Sequence, residues 1–178
     1  MPVRLSRIKV TAISFSHLIA ESSGLLIMGH RNGDMDSYGA AVGIYSIARR
    51  RGLKASIVAD VRQSAAKSLI ETLRREAEYR DAFLDPADLP AKIEPDTLLV
   101  VVDTSRPEQV EGPALLNQCE RVVVIDHHRV GATYIQNAAL NYVEPYASSA
   151  CELVTEILQE MPDMSHILRC EAEALLAI

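Results

Sequence analysis

Apolar residues at Leu5, Ile8, Ala12, Phe15 and Ile19 recur every three to four positions, the spacing of one face of an amphipathic helix. β-branched residues among them weaken the pattern, because they lose side-chain freedom against the preceding turn. After Gly24 the period disappears. Leu25, Leu26, Ile27 and Met28 form a short, wholly apolar run, which suits a strand buried on both faces of a parallel sheet. That run gives way at Gly29 to the polar stretch HRNGDMDS. Helical spacing then returns at Ala40, Ala41, Ile44, Ile47 and Ala48, and ends at Arg49-Arg50-Arg51-Gly52. Cations in a last turn with a glycine beyond it are stop signals.

Residues 55–59 read as a second strand and 64–78 as a second helix. The stretch 79–96 carries three prolines and several aspartates and reads as a connection, with a short strand at 82–84. Residues 98–102 and 121–125 are two further β-rich runs, and each finishes on an acidic residue. Apolar positions 151, 153, 154, 157, 158 and 161 mark a helix, and 167–178 a further helix or a helix leading into a strand. Strands alternating with helices predict an α/β, doubly wound, mostly parallel sheet with helices on both faces.

Composition narrows the setting. A chain of 178 residues is one domain, or one domain plus a docked arm. With 48% hydrophobic and 24% charged residues it buries a core and folds. Eighteen basic residues against 24 acidic ones argue against a hold on duplex nucleic acid through general basic charge. There is no apolar run of about 18 residues, so no membrane contact is expected from this chain, and the N-terminus lacks the apolar stretch of a signal peptide. Cys119, Cys151 and Cys170 form no CxxC pair. A reducing, cytoplasmic setting is the expectation.

Three strands end in polar clusters: His30 with Asp34 and Asp36, then Asp103, then Asp126-His127-His128. In doubly wound folds the crevice lies at the carboxyl ends of the strands, so these segments would meet at one rim. Four aspartates gathered there repel one another unless a cation sits among them. Carboxylate and imidazole without thiolate favour manganese, iron, cobalt or magnesium over structural zinc. The donors exceed what one ion needs, and fit two ions about 3.5–4 Å apart, bridged by a carboxylate. Singly, each residue has a plainer explanation. Asp36 would serve as a helix N-cap, His30 as a turn histidine, and Asp103 as a turn residue before Thr104-Ser105-Arg106-Pro107. Their joint occurrence at the ends of apolar runs speaks for the metal site.

GHRNGDMDSYGAA resembles the first motif, H-x-N-x-D-x-D, of the DHH phosphoesterase superfamily; VVDT resembles its second, and VVVIDHH its third. HRVGATYIQNAALNYVEPYASSACELVTEIL and the lead-in RLSRIKVTAISFSHLIAESSGLLIMGH are similar to the bacterial cyclic-di-AMP phosphodiesterases of the GdpP type, over roughly residues 4–178. The resemblance implies two divalent metal ions, most simply manganese. His30 and Asp34 would bind one, Asp36 and His127 the other, and Asp103 would bridge both. It implies that Asp126 holds His127 in its liganding orientation and that His128 faces the substrate phosphate. Asn32 and Arg129 would be substrate or outer contacts. Ser148 and Ser149 lie in the family's small polar stretch, with helix capping as their plainer role.

The implied reaction is hydroxide attack that opens cyclic di-AMP to linear pApA, so the implied partner is a cyclic dinucleotide or short linear dinucleotide. A short-oligonucleotide exonuclease or a pyrophosphatase would use the same core, and a metal- or nucleotide-binding module without catalysis is the alternative of another class. A dehalogenase-like phosphatase built on Asp34 and Asp36 leaves the paired histidines without a purpose, and no GxGxxG follows the first strand. Two departures from the family pattern stand out. Gly33 replaces the usual proline, which predicts a looser loop. The chain stops at Ile178, before a fourth metal-binding aspartate and a second, DHHA1-type substrate domain. The expectation is therefore a DHH catalytic lobe over 1–178 with one metal position short of a ligand and, as a fragment, impaired in activity. Full-length relatives would carry N-terminal regulatory domains and a membrane anchor, with this lobe in the cytosol.

Overall fold

The computed structural model describes residues 2–161 and 166–176. In chain order the elements are α1 (Pro2–Ala20), β1 (Gly24–Met28), α2 (Met35–Arg50), β2 (Lys54–Val58), α3 (Lys67–Leu73) and β3 (Phe83–Leu84). After a 3-10 turn at Pro86–Asp88 come β4 (Thr97–Val102), α4 (Leu115–Gln118), β5 (Arg121–Asp126), β6 (Leu140–Val143), α5 (Ala150–Gln159) and α6 (Arg169–Leu176). The strands form one sheet in the order β3-β2-β1-β4-β5-β6, every neighbouring pair parallel. The direction of winding reverses between β1 and β4, and that reversal opens a crevice at the carboxyl ends of these strands.

β4 shows why an unbroken apolar run codes for a central strand. All six of its residues are buried. Leu98, Val100 and Val102 face one core with α1, α2 and α5, while Leu99 and Val101 face a second with Met28, Val58, Val110 and Val124. The two faces are covered unequally. The first carries the long helices. The second carries the four-residue α4 and irregular segments that contribute Leu89, Ile93 and Ile135.

α2 is the pivot of the helical layer, buried from Ser37 to Ile44 and again from Ser46 to Ala48. A Cβ at Gly43 would stand 2.6 Å from Val154 Cγ1 and 3.0 Å from Leu175 Cδ2, so α5 and α6 pack against α2 only because that position is bare. α6 is fastened by a buried charge. Glu171, with no exposed surface, accepts hydrogen bonds from Arg49 Nε (3.0 Å), Tyr79 OH (2.8 Å) and Leu168 N (2.7 Å).

Several expectations change. Ile8, Ala12, Phe15 and Ile19 are buried as the period predicts, but Leu5 is 58% exposed and outside that face. The helix expected over 64–78 contracts to Lys67–Leu73, where only Ile70 and Leu73 are buried; Arg74, Arg75 and Glu76 have no apolar face to dock, and the chain closes in turns. β6 has no counterpart in the sequence reading, because only Tyr142 of its four residues is buried and Asn141 interrupts the apolar run. The final helix is α6; a strand following it would lie outside the described residues. No helix of the described residues is long and apolar enough to cross a membrane.

Candidate metal centre

Four chain segments meet where β1, β4 and β5 end. Asp103 follows β4 directly and sits at their centre, 3% exposed, with φ at 60° and its N–H donated to Ile125 O at 2.9 Å. Its two carboxylate oxygens face different histidines. Oδ2 is 3.3 Å from His30 Nε2, and Oδ1 is 3.3 Å from His127 Nε2. Oδ1 is buried without any hydrogen-bond partner. Burial pushes the Asp103 carboxyl above its ordinary pKa, His30 pulls it down, and Asp36 pushes it up again.

His30 is oriented by its own backbone. Nδ1 lies 2.9 Å from the Arg31 carbonyl oxygen, which only accepts, so Nδ1 carries the proton and Nε2 turns toward the carboxylates. Nε2 is 3.7 Å from Asp34 Oδ1. The hydrogen bond to Asp103 raises the His30 pKa to about 9, against the opposing effect of burial. Asp34 is the N-cap of α2, accepting from Ser37 N at 3.0 Å, so the capping role considered for Asp36 belongs to Asp34.

Asp36 is held from across the cleft. Its Oδ2 and Oδ1 accept from Ala150 N and Cys151 N, each at 2.8 Å, so the first turn of α5 grips this carboxylate. Oδ2 is also 3.5 Å from His127 Nε2. Ser149 caps α5 by accepting from Glu152 N at 3.0 Å, and the Glu152 carboxylate accepts from Ser148 N and Oγ at 2.7 and 2.6 Å. The plainer role for these two serines therefore holds, though both also line the cleft.

Asp126 ends β5 fully buried, and here the sequence expectation is corrected. Its Oδ1 accepts from His128 N at 3.1 Å and lies 2.8 Å from His128 Nδ1, so it holds His128 and not His127. The cause is local: an aspartate carboxylate returns naturally to the N–H two residues on, and that turn brings the ring of residue 128 alongside. His127 is left to point at Asp36 and Asp103.

His30, Asp34 and Asp103 each offer one donor atom within 4.8 Å of the others, and so do Asp103, His127 and His128. Donors about 2.1 Å from an ion and at right angles to one another stand roughly 3.0 Å apart. The 3.3 Å separations on either side of Asp103 are close to that. A buried carboxylate oxygen with no donor is the group a cation would satisfy. The cluster is compatible with metal binding, with Asp103 reaching toward both halves. It opens into a cleft of about 710 Å³. Two predicted substrate contacts, Asn32 and Arg129, do not line that cleft, whereas Arg31, Glu108 and Gln109 do.

Residues 24–177 match the family model described as the DHH family, N-terminal domain. The chain belongs to the DHH family. It is 42% identical over 173 residues to the cyclic-di-AMP phosphodiesterase GdpP of Bacillus subtilis and 34% identical to the cyclic-di-AMP phosphodiesterase PdeA of Listeria monocytogenes. Each alignment covers 96% of this chain and 26% of the relative, so the chain spans about a quarter of those proteins. In fold it matches an exopolyphosphatase-related protein from Bacteroides fragilis, with a TM-score of 0.66 at 14% identity, covering 94% of this chain and 48% of that one. The fold is thus the α/β fold expected for this family.

The loop that departs from the family pattern is not left loose. Gly33 is buried, its carbonyl accepts from Ser64 Oγ at 2.9 Å, and the Tyr38 ring fills the space a Cβ would occupy, 2.6 Å away at Cε2.

Proposed function

We propose that this domain is a manganese-dependent phosphodiesterase that opens cyclic di-AMP to linear pApA. The observation that carries the reading is Asp103, whose two oxygens each face a histidine from a different segment, one of them buried without a hydrogen-bond partner. The names of the two GdpP- and PdeA-type relatives supply the substrate class.

His30, Asp34 and Asp103 would hold one divalent ion, and Asp36, His127 and Asp103 the other. Carboxylate and imidazole donors without thiolate suit manganese. Bound there, the ions supply Lewis acidity toward a phosphoryl oxygen and bring the pKa of water near neutrality. The residues around them do the rest. The carbonyl of Arg31 fixes the His30 tautomer. The first turn of α5 fixes the Asp36 carboxylate. With Nδ1 of His128 bonded to Asp126, its Nε2 is the ring nitrogen left to face a phosphoryl or leaving oxygen in the cleft.

The test is to supply the manganese-loaded chain with cyclic di-AMP, linear pApA and pyrophosphate and to follow products by chromatography. Slow conversion of cyclic di-AMP to pApA is expected, since the lobe is one metal ligand short of the family pattern. Cleavage of pyrophosphate alone would refute the reading, and manganese uptake with no hydrolysis would favour a binding module.

A further inference from the structure

We propose that Arg31 forms a second anion subsite in the cleft, holding the phosphate of a dinucleotide that does not sit at the metal cluster. The inference rests on the phosphodiesterase reading and adds to it a recognition residue and a reason for preferring substrates with two phosphates. Among the described residues Arg31 is the one lysine or arginine lining the cleft. Four carboxylates line it too, those of Asp34, Asp36, Asp103 and Glu108. Two divalent ions would match those four charges, leaving Arg31, whose charge also acts on the Glu111 carboxylate outside the lining, as the cation facing substrate.

Arg31 is also positioned. Its N–H is donated to Gln109 O at 2.7 Å, its Nε to Val110 O at 3.4 Å, and the adjoining His30 makes an antiparallel bridge with Val110. These contacts pin the stem to the segment after β4 and leave the two terminal nitrogens for a ligand. Among the described residues no ion pair engages them. The nearby Glu108 carboxylate is occupied by Thr133 Oγ1 at 2.7 Å. A planar guanidinium fixed through Nε presents a two-pronged donor that matches phosphate oxygens, which an ammonium does not. A ligand with one phosphoryl group needs only the cluster; a phosphodiester-linked dinucleotide brings a second anion, and Arg31 is placed to take it.

The test uses the full chain loaded with manganese and titrated by calorimetry with cyclic di-AMP and, separately, with inorganic phosphate. Arg31→Ala should weaken cyclic di-AMP binding on the order of 10- to 100-fold, the range for a lost charged hydrogen bond. Phosphate binding should change by less than about threefold on the same scale. Arg31→Lys, which keeps the charge and loses the fork, should recover part of the affinity. Manganese stoichiometry reports on folding in each variant. Equal losses for both ligands would mean that Arg31 acts on the cluster, and would overturn the subsite. So would a wild type that binds cyclic di-AMP beside an Arg31→Ala that binds it as well. A wild type that takes up manganese and phosphate but no dinucleotide would overturn the substrate reading, and the role of Arg31 with it.

Discussion

Replacing Asp103 by asparagine isolates the charge at the centre of the cluster. The position has φ at 60°, a left-handed conformation that asparagine tolerates better than most residues, so the backbone is not perturbed. Without metal, two effects oppose each other. The buried carboxylate is disfavoured by desolvation and by Asp36, and an amide removes that cost. The amide also removes the partner that raises His30 to about 9. A histidine with a raised pKa stabilises fully below its unfolded value near 6.5 and loses that contribution as pH climbs through 9, so at pH 7 most of it is present and would be forfeited. The two effects have opposite signs, so the chelated variant should melt closer to wild type than loss of either one alone would give.

With metal the balance breaks. An ion at a hundred times its Kd stabilises by about 2.7 kcal/mol, or roughly 5–10 °C for a domain of this size. If Asp103 serves both ions, Asp103→Asn abolishes nearly all of the manganese-induced rise in Tm. Melting both proteins in chelator and in graded manganese measures this directly. A variant that keeps the full rise refutes the shared-ligand geometry, and one that keeps half shows that a single ion uses this carboxylate.

Two other substitutions test separate parts of the structure. Asp126→Asn releases the His128 ring; kcat for cyclic di-AMP should fall about 10- to 100-fold with manganese affinity retained, whereas a loss of manganese affinity would show that Asp126 serves His127 after all. Glu171→Gln removes the buried charge that Arg49 and Tyr79 share; it should cost roughly 2–3 kcal/mol in denaturant unfolding while leaving manganese stoichiometry intact, and unchanged stability would show that the network is not holding α6 to α2.

The sequence carried the strands, and the meeting of their polar ends, well, for a common physical reason. Central strands of a parallel sheet are buried on both faces, so β1, β4 and β5 had to be apolar throughout, and the change to polar residues at His30, Asp103 and Asp126 marked where each left the core. Legibility fell where burial was partial. β6 lies at the sheet edge with Asn141 exposed, and α3 docks through only two buried side chains, so neither imposes a full pattern.

Which side chain meets which was less legible still. Asp126 precedes both histidines, and composition cannot say which ring it holds; a two-residue turn decides for His128. Asp34 and Asp36 both stand near the start of α2, yet one caps it while the other is gripped by α5 more than a hundred residues away. Arg31 is the sharpest case. Its neighbours His30 and Asn32 belong to a recognisable pattern and it does not, and its position is fixed by Gln109 and Val110, 79 residues from Arg31 in the latter case. Such a residue is invisible to periodicity and to motif spacing, because what aims it is a pairing made only after β1 and β4 lie side by side. The winding reversal that brings those two strands together therefore does two things at once: it closes the acidic cluster around Asp103, and it sets an arginine against the same cleft.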